Sequence, residues 1–182
     1  MGHQEIEVRF LEIDKEALIS RLKALGAEDI LEEKIIYDKE LTWNGSVRKM
    51  LRLRTQKGKT KLAYKYREGM SAEGTEEIEF EISDADSAEA LLERLGYVLF
   101  REQQKRRHTF RLGEVIVDID TWPKIPPYVE LEGPSVESLM QAAESLELDW
   151  NTVEMRDPKT VIEEVYKVPL RDMRWFTFGR FE

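Results

Sequence analysis

Residues Gln4-Glu5-Ile6-Glu7-Val8-Arg9-Phe10 alternate charge and hydrocarbon almost residue by residue. On an extended chain successive side chains point to opposite faces. Glu5, Glu7 and Arg9 therefore share one face of a strand, and Ile6, Val8 and Phe10 take the other. A single strand of this kind normally belongs to an antiparallel sheet with one solvated face. The rest of the chain argues for a different setting. The alternation at 4–11 recurs at about 30–43, 49–56, 60–67, 76–82, 98–111, 114–121 and 128–132. The length of 98–111 predicts a bend or a break.

The polar faces of these strands are sorted by sign. Glu77, Glu79 and Glu81 stand opposite Ile78, Phe80 and Ile82; Asp118 and Asp120 opposite Val117 and Ile119; Glu130 and Glu132 opposite Val129 and Leu131. Arg52 and Arg54 share a face, as do Lys61, Lys65 and Arg67, and Lys105, Arg107 and Arg111. Like charges on neighbouring positions repel, so such rows persist best facing a counter-ion. Acidic rows suit a hard divalent cation with oxygen ligands. Arginine-rich rows suit phosphate, which the guanidinium fork grips with two bonds.

Helical spacing falls between the strands. Asp14 caps a helix carrying Leu18, Leu22 and Leu25, ended by Gly26. Asp86 with Glu89 resembles a capping box before Leu91, Leu92 and Leu95. Pro134-Ser135 opens a third helix, and Asp157-Pro158 a short fourth. Three times, at 5–14, 77–86 and 129–135, a Glu-x-Glu strand feeds a helix. About eight antiparallel strands can close into a barrel that holds one small ligand. Leucine stripes outside would cover its apolar exterior, leaving a charged lumen. Unpaired ions in such a lumen cost several kcal/mol each, so its charges pair with each other, with metal or with a polyanion. The expected fold class is thus α+β, an eight-stranded antiparallel tunnel with helices packed outside. It forms a single domain over 1–182, with a core at 4–165 and the tail 166–182 docked on the body.

Bulk composition agrees. The chain has 182 residues, 36% of them charged, with net charge −9 and no cysteine. The acidity argues against a nucleic-acid partner, and the missing thiols exclude disulfides and thiolate metal sites. No apolar run is long enough for a membrane span and no secretory segment opens the chain, so the expected location is the cytoplasm.

Glu5-Ile6-Glu7-Val8-Arg9, Leu51-Arg52-Leu53-Arg54, Lys61 to Arg67, Glu77 to Glu81, Lys105-Arg106-Arg107, Asp118-Ile119-Asp120 and Tyr128-Val129-Glu130-Leu131-Glu132 form an ordered set. Over about 4–165 this set resembles the CYTH superfamily, the triphosphate tunnel metalloenzymes. That superfamily includes class IV adenylyl cyclases, thiamine triphosphatases and inorganic tripolyphosphatases. The resemblance implies Mg²⁺ or Mn²⁺ on Glu5, Glu7, Asp118, Glu130 and Glu132. Asp120, Glu79 and Glu81 are implied for a second metal or for orienting water. Arg9, Arg52, Arg54, Lys65, Lys105 and Arg107 resemble a phosphate grip, and Tyr37 a tyrosine that some members use beside the catalytic lysine. That lysine is Arg9 here, and arginine does not lose its proton in a protein. Charge stabilisation remains open to it.

The implied partner is a small molecule bearing a triphosphate: tripolyphosphate, thiamine triphosphate or ATP. A homodimer is implied by the same resemblance. Three functions follow: a metal-dependent triphosphatase, which is favoured; a class IV adenylyl cyclase forming cyclic AMP and pyrophosphate; and a polyphosphate-binding module without turnover. Other features are set aside. Gly58-Lys59-Thr60 ends like a P-loop, but the earlier glycine would fall at Leu53 and no helix follows. His108 reads as a wall residue. Trp122 to Pro127 reads as a rigid loop, with a rim at a tunnel mouth as the functional alternative.

Overall fold

A computed structural model describes residues 6–43, 49–67 and 75–182, with backbone alone at 49, 65–67 and 75–77. The strands are β1 (Ile6–Phe10), β2 (Glu28–Trp43), β3 (Lys49–Gln56), β4 (Lys59–Arg67), β5 (Thr75–Ile82), β6 (Tyr97–Leu112), β7 (Val115–Thr121), β8 (Tyr128–Gly133) and the short β9 (Trp175–Phe176). The helices are α1 (Lys15–Ala24), α2 (Ala85–Arg94), α3 (Val136–Ser145) and α4 (Pro158–Glu164). The class is α+β and the sheet is antiparallel, apart from β9, which joins β6 in parallel. Among the described strands β1 pairs with β8 alone and β5 with β4 alone, so hydrogen bonds do not close the sheet into a ring. No described helix is long and apolar enough to cross a membrane. The chain forms two compact units, Met1–Lys34 with Arg106–Leu170 and Ile35–Lys105 with Arg171–Glu182; β2 and β6 run through both.

In the first unit β1, β8, β7 and the end of β6 are consecutive neighbours. Val8, Phe10, Val117, Ile119, Val129 and Leu131 line one face and pack against Leu18 and Leu22 of α1 and Leu139, Ala142, Ala143 and Leu146, on or just after α3. Each large side chain so buried contributes about 1.5–3 kcal/mol. The helices start where local chemistry starts them. The Asp14 carboxylate accepts the Ala17 N–H, and Ser135 with Ser138 closes a capping box. Gly26, at φ 73°, turns α1 into β2, a conformation that side chains with a Cβ resist. Asp157 caps α4, whose first residue is Pro158.

The free side of β1 is taken up by a bridge. The Arg9 N–H donates to the Glu154 carbonyl at 2.9 Å and the Glu154 N–H to the Arg9 carbonyl at 2.8 Å. The Arg156 side chain grips the Glu154 carboxylate and, with burial opposing, draws it down to about 2. A carboxyl group depressed on folding stabilises above its unfolded value of about 4.3 and loses that contribution as pH falls through its folded value. Arg156→Ala should therefore melt below wild type at pH 6, and the gap should close between pH 4 and 2. A pH-independent gap in thermal melts would assign the loss to packing instead.

The second unit repeats the scheme. Leu41, Leu51 and Leu53 pack on Leu92 of α2, with Leu62, Tyr64 and Ile82 around them. Two expectations are corrected here. The cap of α2 is Asp84, which accepts the Ser87 N–H at 3.0 Å, and Asp86 lies in the first turn. The Asp-x-x-Ser spacing competes with Asp-x-x-Glu and wins by two residues. β6 is one 16-residue strand, which removes the break from the expected bend or break. It finds pairing partners along its length, β7 beside Arg106 to Leu112 and β9 beside Glu102 and Gln103.

Candidate functional site

Antiparallel register assembles the polar face of the first unit. Arg9 lies opposite Glu130, Glu130 opposite Asp118, Asp118 opposite Thr109, and Asp120 opposite Arg107. Because Val8, Ile119 and Val129 face the helices, these charged neighbours face the other way. They are nonetheless buried: Arg9 is 2% exposed and Asp120 0%. The bland reading of the opening strand, charge toward water, fails for Arg9.

Burial on this scale requires pairing, and two arginines supply it. Arg9 donates from Nε to Glu130 Oε1 at 2.7 Å, from Nη2 to Glu7 Oε1 at 2.6 Å, and from Nη1 to the Arg156 carbonyl at 2.9 Å. Arg107 grips Asp120 with both arms of its fork, Nε to Oδ1 and Nη2 to Oδ2, each at 2.6 Å. Its Nη2 also donates to Glu130 Oε2 at 2.6 Å, and its Nη1 pairs with Asp118. Asp118 accepts the Thr109 hydroxyl at 2.6 Å. Burial disfavours the charge of Arg107, but hydrogen bonding to Asp120 and the charges of Asp120, Asp118 and Glu130 outweigh it and hold the group above its ordinary value. Arg9 behaves alike: burial opposes its charge, and Glu130 and Glu7 prevail.

The second unit carries its own polar rows. Glu40, Arg52, Ala63 and Glu79 lie side by side across β2 to β5, as do Asp38, Arg54, Lys61 and Glu81. Arg54 holds Asp38 with two bonds, at 2.8 and 2.7 Å. Lys61 donates to Glu79 at 2.7 Å, Arg52 lies 3.7 Å from Glu79, and Lys59 lies 3.6 Å from Glu81. The Lys61 hydrogen bond, with the charges of Lys61, Arg52 and Arg54, lowers the pKa of Glu79 against the opposing effect of burial.

Of the residues expected at the site, Glu7, Arg9, Arg107, Asp118, Asp120 and Glu130 thus share one network in the first unit. Glu132 is two residues from Glu130 and opposite Glu7. In the second unit Arg52, Arg54, Glu79 and Glu81 share the polar rows. Lys105 lies on β6 and Lys65 on β4, whose side chain at that position is outside the described residues, as is Glu5 altogether. Tyr37 is set apart. It neighbours Asp38 on β2 and so faces the opposite way, where its hydroxyl donates to Glu102. His108 faces the core side, stacked on Phe110 with its Nε2 3.0 Å from Asp29. Sequence reasoning put Trp122 in a rigid loop with a rim as its functional alternative and Tyr128 at the head of a motif strand, and missed only the bond that joins them. The Trp122 indole N–H donates to the Tyr128 hydroxyl at 2.9 Å, and that hydroxyl lies 3.4 Å from Asp120 Oδ2. A buried tyrosine one residue before a Val-Glu-Leu-Glu strand, preceded by a Trp-Pro loop, was the available signal.

Oxygen donors for a divalent cation are present, and all are carboxylates: Glu7, Asp118, Glu130 and Glu132. Among the described residues no three acidic or histidine groups gather as a cation cage by themselves. The arginine forks stand between the carboxylates. The set fits a cation in donor chemistry, and the Glu7 side chain is half-exposed, at 52%.

The model of the CYTH domain matches residues 3–166. The chain belongs to the CYTH family. No curated protein matches its sequence. Solved structures do. The PH1012 protein of Pyrococcus horikoshii OT3 is 25% identical with TM-score 0.63, over 85% of this chain and 96% of that one. A candidate adenylate cyclase of Vibrio parahaemolyticus is 22% identical with TM-score 0.70, over 90% and 99%. A candidate adenylyl cyclase of Hippeastrum with a dominant triphosphatase activity is 20% identical with TM-score 0.59, over 92% and 99%. The last two likenesses show a shared fold; the residues matched by the family model include every expected site position, from Glu5 to Glu132.

Proposed function

We propose that this CYTH protein is a divalent-metal-dependent triphosphatase acting on an inorganic or organic triphosphate. The carrying observation is the buried network of Arg9, Arg107, Asp118, Asp120 and Glu130. A chain bears the desolvation of so many ions where a charged ligand exchanges partners with them. Family membership supports triphosphate chemistry. The Hippeastrum relative's dominant triphosphatase activity favours hydrolysis over cyclisation.

In this reading Glu5, Glu7, Asp118, Glu130 and Glu132 hold Mg²⁺ or Mn²⁺, which neutralises phosphate oxygens and makes bound water a better nucleophile. Asp120 is left out of that set: it is wholly buried, where Asp118 and Glu130 keep some exposure, and both its oxygens close on the one Arg107 fork. Arg9 and Arg107 turn part of their donor array to phosphate oxygens, joined by Arg52, Arg54, Lys65 and Lys105. Five-donor forks suit phosphate oxygens, which they grip with two bonds. Arg9 remains charged throughout and takes no proton. Glu79, whose pKa the Lys61 hydrogen bond lowers, orients Lys61 and Arg52. Tyr37 has no part, since it faces away.

The test is product analysis. Tripolyphosphate, thiamine triphosphate and ATP are each incubated with protein and Mg²⁺ or Mn²⁺, and phosphate, pyrophosphate and cyclic AMP are measured. Phosphate release that stops in excess chelator is the expected result. Cyclic AMP with pyrophosphate would replace hydrolysis by the cyclase reading. Binding without any product would leave a polyphosphate-binding module.

A further inference from the structure

Arg107 is the most heavily bonded cation of the polar face, and the structure holds it from behind. Asp120 occupies both arms of its fork and is itself wholly buried. Beyond Asp120 stands the Tyr128 hydroxyl, 3.4 Å from Oδ2, a long contact. That hydroxyl accepts the Trp122 indole N–H at 2.9 Å, which leaves its own proton directed to another acceptor. Trp122 and Tyr128 are both buried, so water does not stand in readily for any member of the chain. The loop between Trp122 and Tyr128 brings two residues six apart into contact across the end of β7 and the start of β8.

We propose that Trp122 and Tyr128 are positioning residues which, through Asp120, fix the guanidinium fork of Arg107 in the pose from which it meets a phosphate oxygen. The inference rests on the triphosphatase reading for its ligand, but not for its geometry. A fork held at two nitrogens by Asp120 keeps Nη1 and the outer edge of Nη2 aimed along the polar face, toward Asp118 and Glu130. Loss of the hydroxyl takes from Trp122 the oxygen that accepts its indole N–H and from Asp120 the contact behind Oδ2. Arg107 then enters the complex less pre-organised. Affinity for the anion falls, while the bond-breaking step keeps every group that touches the substrate.

Tyr128→Phe tests this, since it removes one oxygen and keeps the ring. The KM for tripolyphosphate should rise about tenfold with kcat within about twofold of wild type. Trp122→Phe should move KM the same way. In an Arg107→Lys background, Tyr128→Phe should add no further rise, because the fork it positions is gone. Equal proportional effects in both backgrounds, or a fall in kcat at constant KM, would overturn the proposal and make Tyr128 a packing residue. A second measurement is independent of turnover. In ¹⁵N NMR spectra the Arg107 Nε–H of wild type should exchange slowly with solvent, and Tyr128→Phe should speed that exchange about tenfold. Unchanged exchange would overturn the proposal even if the protein hydrolyses triphosphates. Faster exchange in a protein inert toward every triphosphate would uphold the positioning and refute the enzymatic reading alone.

Discussion

Arg107→Ala should leave Asp118, Asp120 and Glu130 facing one another without the cation that binds all three. Removing one partner of a buried ionic group costs about 3–5 kcal/mol, because the remaining charge stays uncompensated. For a chain of this length that is a fall in melting temperature of roughly 6–20 °C. The Arg107 side chain is 21% exposed, enclosed enough that solvent does not replace its role. A second substitution gives the sign. Asp120→Asn in the Arg107→Ala background removes one of the stranded charges and should recover part of the loss, although Asp120→Asn alone is destabilising. An Arg107→Ala protein that melts like wild type would mean that the network is an ornament of the surface.

Glu130→Gln should be the most damaging isosteric change for activity. Glu130 sits at the crossing of the network, accepting from Arg9 at 2.7 Å and from Arg107 at 2.6 Å, and is opposite Asp118 in register. The amide keeps the shape but loses a charge and turns one oxygen into a donor aimed at an arginine. Turnover of tripolyphosphate should fall at least about 100-fold, and the Mg²⁺ concentration for half-maximal rate should rise by at least about tenfold. Cooperative melting should survive. A variant with wild-type turnover and metal dependence would remove Glu130 from any metal site.

Much of this architecture could be read from local spacing. The alternation of Glu7-Val8-Arg9-Phe10 gave the strand and both its faces, because a period of two leaves no choice of orientation once Val8 and Phe10 meet α1 and α3. Asp14, Ser135 and Asp157 announced their helices for the same reason: a cap acts over three residues. Asp86 misled because two acids two residues apart both offer a cap, and the winner depends on where the chain leaves β5. Tyr37 is a different case. Its role was carried over by likeness, whereas its alternation with Asp38 already put it on the far face. The pairing of Arg107 with three carboxylates could not be read locally, since it joins β6, β7 and β8 through register. The hydrogen bond from Trp122 to Tyr128 depends on the path of a proline-rich loop, which no periodicity encodes.

The central claim is that the arginine and carboxylate face receives a metal-bound triphosphate. A crystal structure with tripolyphosphate and Mn²⁺ measures it directly, because Mn²⁺ is located by its anomalous scattering. The expected map has Mn²⁺ on carboxylates among Glu7, Asp118, Glu130 and Glu132, with phosphate oxygens within hydrogen-bonding distance of Arg9 and Arg107. Phosphate bound elsewhere, with Arg9 still closed on Glu130 and Arg107 still closed on Asp118 and Glu130, would contradict it.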